Sequence, residues 1–451
     1  MLPDWRKWGR APWLELRRTT WLLVTVGLAA RLVALAWIGN APLVDDAADY
    51  HAMAVGLLHG GAVSTDWPPG VALWLLPFCA VLGSSAIVAR AAMLCWYGAM
   101  TAATFGVAAR LGGRRAGNVA LALLLVYPAH VLQAVLPLTQ LPCAALLMTA
   151  LYLALRATDG DLVARRWMLP LCGLALGAAV LVRPPSILCC AALPAVLALR
   201  TRRVRDAALP LALAAAVVSL WLVKVHDLAG RFVFINDANS QNFFYGNNEW
   251  TPLYRTWWFG SHKYPVEGVP LAYAEARAAI SQLPPTARDQ AFSGHAMAHI
   301  KARPELFVVR SLSRVRAYLA FDTYVSSFLI NRLGAPKLVG LGVIGVDALH
   351  YLLIVALALA FLCARREPPL DAAQRNALWL AATIVVCYSG PYWISFSHPT
   401  YHFPIVPILA VFGALFAACP TRLAHRRTFA VAAVALALIQ VEWVIVMYPR
   451  V

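Results

Sequence analysis

Long apolar runs separated by short polar connections extend along almost the whole chain. Most of these runs have the length that an α-helix needs to cross the hydrocarbon core of a bilayer. The pattern predicts about eleven membrane-spanning helices. They are expected at residues 20–38, 86–109, 117–136, 141–156, 167–182, 186–199, 207–224, 338–363, 376–396, 403–418 and 428–447.

One apolar run, from Pro68 to Leu82, is shorter than the others and begins with two prolines. Clusters of arginine decide how it lies, because Lys and Arg accumulate in the cytoplasmic loops of membrane proteins. With a cytoplasmic N-terminus, such clusters follow every second span, and a crossing at 68–82 would put them on the wrong side. This run therefore predicts a helix that lies in or dips into the outer leaflet.

The composition supports a membrane protein and excludes other classes. Of 451 residues, 61% are hydrophobic and only 13% are charged, and the mean hydropathy is +0.67. A soluble domain would contain about 25% charged residues. The net charge of +17 comes from short clusters between apolar runs, which is the pattern of topology determinants, so no nucleic-acid partner is expected.

The nine cysteines lie almost entirely inside apolar runs, so neither a disulfide framework nor a thiolate metal site is predicted. The basic N-terminus and the run after it resemble a signal peptide without a cleavage site, and this run should remain as the first span.

The fold class expected is an all-α polytopic membrane protein with about 11–13 transmembrane helices. The predicted organisation is an N-terminal transmembrane module (1–224) with a first outer loop (39–85), an extracytoplasmic domain (225–337) and C-terminal transmembrane helices (338–451). In the outer domain, the segment after Pro304 predicts an amphipathic helix along the headgroups, with Arg310 and Arg314 on its polar face.

Two adjacent carboxylates, Asp45 and Asp46, begin the first outer loop, and Tyr50 and His51 follow them closely. They can be solvated residues at the end of a helix. Alternatively, a carboxylate that is partly desolvated at a membrane surface is well placed to act as a base on a hydroxyl group. We expect at least one of the two to be catalytic.

Arg183 precedes two prolines in the sequence LVRPPSI, at the outer end of a span. It can be an arginine that extends its charge to the interface. It can also bind a phosphate, because a guanidinium offers a fork of donors that lysine lacks. Arg90, near the outer start of another span, is a weaker candidate of the same kind.

The segment SFSHPTYHFPIVPIL places His398, Tyr401 and His402 at the outer mouth of a late span. Pro399 prevents a continuous helix through the two histidines, which weakens a zinc site. Interfacial aromatic packing and binding of an anionic or sugar ligand both remain open.

The order of these motifs resembles that of the membrane-embedded GT-C glycosyltransferases. Within them, the chain looks closest to the bacterial family related to dolichyl-phosphate-mannose protein mannosyltransferases, aminoarabinose transferases and rhizobial lipopolysaccharide-core sugar transferases. The resemblance covers residues 21–418, and the motifs that carry it are DDAADYHAMAVGLLHGG, WPPGVALWLLPFCAVLG, LVRPPSI, FFYGNN and PTYHFPIVPIL.

The resemblance implies a polyprenyl-phosphate sugar as donor, a glycan, lipid or protein as acceptor, and an active site on the periplasmic face of a bacterial inner membrane. Such enzymes have an acidic base in the first outer loop and an aromatic residue four positions later, which correspond to Asp46 and Tyr50. The Arg-Pro pair corresponds to Arg183, and the outer-loop turn Gly246, Asn247 and Asn248 is expected near the substrate.

Three positions depart from the family pattern. Relatives often have a basic residue where this chain has Asp66 and Trp67, and an acidic residue where Gln140 stands. The late Arg-Tyr pair reads Thr400 and Tyr401 here. Phosphate binding is therefore assigned to Arg183, with support from Tyr401, His402, Arg90 or Lys224.

The mechanism expected is a single displacement, with Asp46 as base and cationic groups that stabilise the departing lipid phosphate. No cofactor is assigned; a divalent ion could assist, but the sequence shows no convincing ligand set for it. A lipid-linked glycan ligase or polymerase is an alternative, supported by His295 and His299 in the outer domain. A transporter or flippase is another, although the sequence shows neither broken helices in paired halves nor charge near the middle of the membrane.

Overall fold

The computed structural model describes residues 10–61, 63–125, 127–158, 162–253, 269–366, 370–419 and 421–447. The outer-domain segment 254–268 lies outside these ranges. The N-terminal helices are α1 (Arg10–Ile38), α2 (Asp46–His59), α3 (Gly70–Leu82), α4 (Ala86–Leu125), α5 (Pro128–Gln133), α6 (Gln140–Ala157), α7 (Leu162–Val182), α8 (Ile187–Thr201) and α9 (Arg205–Ala229).

The remaining elements complete an all-helical architecture. The helices of the outer domain are α10 (Ala238–Gly246), α11 (Leu271–Ser281), α12 (Pro285–Ala302), α13 (Pro304–Leu319) and α14 (Tyr324–Leu333). The C-terminal helices are α15 (Lys337–Leu362), α16 (Ala372–Ile394), α17 (Val406–Ala418) and α18 (Arg426–Met447). Two 3₁₀ segments (Pro184–Ser186 and Pro399–Ile405) and one short antiparallel pair, β1 (Ala364–Arg366) with β2 (Thr421–Leu423), connect them.

Ten helices in the described residues are long and apolar enough to cross a membrane. α4 contains two of the predicted spans, because its backbone leaves the helical conformation at Gly113 (φ 77°, ψ 176°). The two arms fold back on each other, since Arg31 contacts the Tyr97 ring of the first arm and the Leu125 carbonyl of the second. The predicted multi-pass helical fold is therefore confirmed.

The core lies around α6, whose apolar residues are buried on nearly all sides by α4, α7 and α17. By contrast, α1 and α18 expose large apolar side chains such as Trp21, Val33, Val431 and Leu438. Such surfaces are stable only in contact with lipid or another protein. The short helix α3 packs between α2, α4 and α7, and its placement in the outer leaflet stays a prediction.

The predicted span 117–136 is broken. α4 ends at Leu125 and α5 begins at Pro128. Arg31 donates a hydrogen bond to the Leu125 carbonyl (2.7 Å), and Asp347 Oδ1 accepts one from the Ala129 amide (2.8 Å). Arg31 and Asp347 are fully buried within α1 and α15 and satisfy backbone groups that this break leaves open, so buried charge does occur within the spans.

A network of charged residues joins the first outer loop to the outer domain. Asp237 accepts hydrogen bonds from Thr65 Oγ1 and from Arg231, each 2.6 Å long. Asn236 donates to the Asp66 carbonyl at 2.9 Å. These contacts fix the outer domain above the membrane helices, where the polar motifs of the sequence meet.

Replacing Arg31 by leucine should destabilise the fold. The guanidinium donates to the carbonyls of Leu124 and Leu125 at the end of α4, and the variant leaves these two acceptors without a partner in an apolar surrounding. We expect the free energy of unfolding to fall by about 2 kcal/mol or more. Thermal unfolding in detergent measures the effect, with Arg18→Leu on an exposed part of α1 as control. Equal melting temperatures of the two variants would contradict the capping role.

Candidate active site

α2 presents two predicted site residues on one of its faces. Asp46 is its first residue and Tyr50 lies four positions later, so both side chains project in nearly the same direction. The positive end of the helix dipole lies beside Asp46 and favours its ionised form. Tyr50 is buried against Trp67, with ring centroids 5.6 Å apart.

Arg183 lies at the sharp turn between α7 and the 3₁₀ segment Pro184–Ser186. The residue is extended (φ −143°, ψ 105°), as expected before a proline, and its side chain turns inward, 8% exposed. Its Nε donates to the Tyr392 hydroxyl and its Nη1 to Thr139 Oγ1, both at 3.0 Å. Interfacial snorkelling does not describe this geometry, because protein hydroxyl groups hold the guanidinium.

Tyrosine rings surround the guanidinium on the side opposite α7. The Arg183 Cζ lies 5.0 Å from the ring centroid of Tyr401 and 5.6 Å from that of Tyr392. Tyr388 and Tyr318 extend this aromatic wall behind Tyr392. Among the described residues, no carboxylate forms an ion pair with Arg183, so its charge is available to an anion.

The α2 face and the Arg183 cluster meet at Thr139. Its hydroxyl group contacts Tyr50 and accepts the hydrogen bond from Arg183, so it joins the two. Asp46 is open to water yet surrounded by many protein atoms, and this desolvation raises its pKa to about 6. The charge of Asp49 adds to the rise, and the positive charge of Arg183 opposes it. Asp46 and Arg183 are thus close enough to influence each other electrostatically.

Several predicted residues lie beside this centre but have other contacts. Gln140 is buried next to Thr139, with a long contact of 3.5 Å between Oε1 and the threonine hydroxyl. His51 projects from a different face of α2, toward Ser84. Asp45 is exposed and accepts a hydrogen bond from Arg332 at 2.6 Å. A direct catalytic role for Asp45 therefore finds no support in the geometry.

The structure does not bring three of the predicted cations to Arg183. The guanidinium of Arg90 donates to carbonyl groups of residues 39–42, so it caps the end of α1. Lys224 is exposed on α9. His402 is buried, where its Nδ1 contacts the Tyr318 carbonyl at 2.8 Å and its ring stacks on Tyr351 at 4.3 Å.

The 3₁₀ segment Pro399–Ile405 contributes Tyr401 to the cluster around Arg183. His398 accepts a hydrogen bond from the Thr400 amide, and burial lowers its pKa to about 4. A neutral His398 that stabilises its own backbone turn has no charge with which to neutralise a phosphate. Among the described residues, no three His, Cys, Asp or Glu side chains lie close enough to share a metal ion.

The turn Gly246, Asn247 and Asn248 is held by α13. Arg314 donates to the carbonyl of Gly246 and to Asn247 Oδ1, and Arg310 donates to the carbonyl of Asn248. Burial lowers the pKa of Arg314 to about 9.

α13 carries its arginines and its apolar residues on different faces, and its placement along the headgroups stays a prediction. Its arginine face is buried under the turn, whereas its apolar residues Val308 and Leu312 are 56% and 67% exposed. The side chains of Asn247 and Asn248 are engaged by backbone groups within the turn and by Ile394. The turn connects the outer domain to the end of α16, which carries Tyr392.

Sequence reasoning missed Tyr392. Its only signal is its position in SGPYW, near the outer end of a span, which many interfacial tyrosines share. Thr139 was expected on the outer side, but nothing in its local sequence shows that it joins Tyr50 to Arg183.

Residues 66–226 match the family described as dolichyl-phosphate-mannose-protein mannosyltransferase. The match covers about a third of the chain, and this part is similar to that family. The match includes the Pro-Pro motif and Arg183, and it confirms the resemblance to GT-C membrane glycosyltransferases. Asp46 and the late segment lie outside the matched residues, so their roles stay predictions.

The fold is also similar to two crystal structures of ArnT from Cupriavidus metallidurans, each 16% identical to this chain. The apo structure gives a TM-score of 0.42 over 86% of this chain and 76% of that chain. The structure bound to undecaprenyl phosphate gives 0.45 over 88% and 77%. These overlaps are too loose to transfer residue roles. No curated protein matches the chain significantly.

Replacing Gly246 by alanine should disrupt the turn. A Cβ atom there would lie 1.7 Å from the Ser395 carbonyl oxygen, a distance at which the backbone must move. We expect a marked loss of thermal stability together with loss of activity. Gly294→Ala is the matched control, because its Cβ would meet open space within a helix. If both variants melt like the wild type, the close approach of the turn to α16 is wrong.

Proposed function

We propose that this protein is a membrane glycosyltransferase that moves a sugar from a polyprenyl-phosphate donor to a hydroxyl group of a glycan, lipid or protein acceptor. The observation that carries the proposal is that Thr139 joins the helix of Asp46, through Tyr50, to Arg183, so that an acid and a cation lie near each other. A transferase of this kind needs a base at one end of the reacting centre and a cation at the other.

The phosphate end of the site is assigned to Arg183. Its Nε and Nη1 are held by Tyr392 and Thr139, so the guanidinium is oriented before any ligand arrives. A second terminal nitrogen remains to bind a phosphate oxygen, and the Tyr401 ring lies 5.0 Å from Arg183 Cζ. Such preorganised donors stabilise charge that develops in the transition state.

The acceptor end is assigned to Asp46. Its carboxylate takes the proton of the acceptor hydroxyl while the acceptor oxygen forms a bond to the anomeric carbon. The bond between that carbon and the phosphate oxygen breaks, and the electron pair leaves with the polyprenyl phosphate. Because the departing phosphate is stable as an anion, the step requires no general acid. The raised pKa of Asp46 makes it a stronger base than a solvated aspartate.

The proposed topology places this site on the periplasmic side of a bacterial inner membrane, with a cytoplasmic N-terminus. The arginine clusters between alternate spans support this orientation. The polyprenyl chain would occupy the apolar space between helices at the lipid boundary.

The two alternative classes have less support. The ligase or polymerase reading requires cations around His295 and His299, but His295 contacts Glu249 and His299 contacts Arg310, which also binds the Asn248 carbonyl. A transporter would agree with the broken helix and the buried charge. However, Arg31 and Asp347 cap the helix ends at that break.

Replacing Asp46 by asparagine should abolish transfer and keep donor binding. The amide cannot accept the acceptor proton, whereas the Arg183 cluster is unchanged. Release of polyprenyl phosphate by the purified protein in lipid, from a panel of polyprenyl-phosphate sugars, measures turnover, and a binding assay with polyprenyl phosphate measures the donor site. Equal turnover of variant and wild type would remove Asp46 as base. No turnover of the wild type with any donor would favour transport or ligation.

The pH profile should report the ionisation of Asp46. Transfer requires the carboxylate form, so kcat/KM should rise with pH and reach half of its maximum near pH 6. Asp49→Asn removes a negative charge that raises the pKa of Asp46, and its profile should therefore shift to lower pH. A profile without an acidic limb, or an unshifted limb in Asp49→Asn, would contradict the assignment.

A further inference from the structure

Helix α14 connects the two ends of the proposed site. Before its first turn, Asp322 Oδ1 accepts hydrogen bonds from Thr400 Oγ1 (2.8 Å) and from the Tyr324 amide (2.9 Å). At its other end, Arg332 donates to Asp45 Oδ1 (2.6 Å). The helix thus joins the residue before Tyr401 to the residue before Asp46.

The backbone of Asp45 is strained. Its φ of 52° and ψ of −144° lie in a region that non-glycine residues rarely adopt. Such a conformation persists when surrounding contacts hold it, and it is found often at functional sites. Asp45 does not cap α2 with its side chain, so the hydrogen bond from Arg332 is the contact that fixes this carboxylate.

In the first turn of α2 only Ala47 is buried, whereas Tyr50, Met53 and Ala54 are buried further along the helix. Tyr50 is packed against Trp67 and contacts Thr139, and α3 packs against α2. Asp46, in contrast, begins the helix and is open to water. Its position therefore depends on how the chain enters the helix at Asp45.

We propose, on the basis of the proposed function, that Arg332 is a positioning residue: through Asp45 it fixes the first turn of α2 and so the separation of the Asp46 carboxylate from Arg183. Neither Arg332 nor Asp45 touches the substrate in this assignment. The pair acts on the reaction by holding the base in place.

The energetics predict an effect on rate rather than on stability. The side chains of Arg332 and Asp45 are 45% and 49% exposed, and ion pairs at such exposure contribute little to folding. A small displacement of a reacting group, in contrast, can slow a reaction by about 100-fold. Loss of the pair should therefore lower turnover while the melting temperature stays the same.

An electrostatic effect of Asp45 is the competing explanation. The negative charge of Asp45 raises the pKa of Asp46, and Asp49 acts in the same direction. If charge alone mattered, Asp45→Asn would shift the pH profile to lower pH, whereas Arg332→Gln would leave it or shift it the opposite way. A positioning role predicts instead that Asp45→Asn and Arg332→Gln lower kcat in the same way.

The experiment compares four variants of the full chain in lipid: Arg332→Gln, Asp45→Asn, the double variant and Arg332→Lys. Arg303→Gln is the matched control, because Arg303 forms an ion pair with Glu305 elsewhere on the outer domain, and that pair is also largely exposed. Release of polyprenyl phosphate gives kcat and KM, and binding of polyprenyl phosphate tests the Arg183 end separately.

We expect each single variant to lose about tenfold or more in kcat, with donor binding unchanged. The double variant should be no slower than the slower single variant, because both remove one interaction. Arg332→Lys should recover part of the rate, and Arg303→Gln should resemble the wild type.

Losses that multiply in the double variant, opposite pH shifts, or an Arg332→Gln rate equal to that of Arg303→Gln would overturn the positioning role while leaving the transferase proposal intact. A wild type without turnover on any donor would overturn the transferase proposal, and the positioning role with it.

Discussion

The outer face of this protein depends on one buried guanidinium. Arg183 is removed from water at the end of α7, and in the described residues it forms no ion pair. Burying an unpaired charge is costly unless polar groups solvate it. Thr139, Tyr392 and the ring of Tyr401 supply that solvation, and each comes from a different part of the chain. The need to hold this charge thus draws α6, α7, α16 and the 3₁₀ segment 399–405 together.

The same arrangement explains how the site can be both rigid and open. The Arg183 end is enclosed by tyrosines that pack on one another, and the turn at Gly246 is clamped to α16 by the arginines of α13. The Asp46 end is open to water and held by the edge of α14. A rigid cation with an accessible base suits a reaction in which one substrate is a membrane lipid and the other arrives from the aqueous side.

Buried polar groups inside the membrane region have a different task. The break between α4 and α5 leaves backbone groups that lipid cannot satisfy, and Arg31 and Asp347 satisfy them. Charge within a span usually suggests transport. Here it is accounted for by helix capping, which shows that the contacts of a charged residue must be known before a function is assigned to it.

The sequence by itself determined the class of the protein and most of its spans, and the membrane side of its polar motifs stays a prediction. Hydrophobic length and arginine placement are local properties, so they can be read without a structure. It also selected Asp46, Tyr50 and Arg183 as candidates, through the order of short motifs. Only the tertiary structure decided which of these side chains meet. Arg90, Lys224 and His402 carry the right chemistry but face carbonyl groups, the surface or other aromatic rings. Tyr392 and Arg332 carry no distinctive local signal, and their roles follow from contacts across 209 and 287 residues of chain. Side-chain direction and long-range packing set those contacts, and neither is encoded in a short stretch of sequence.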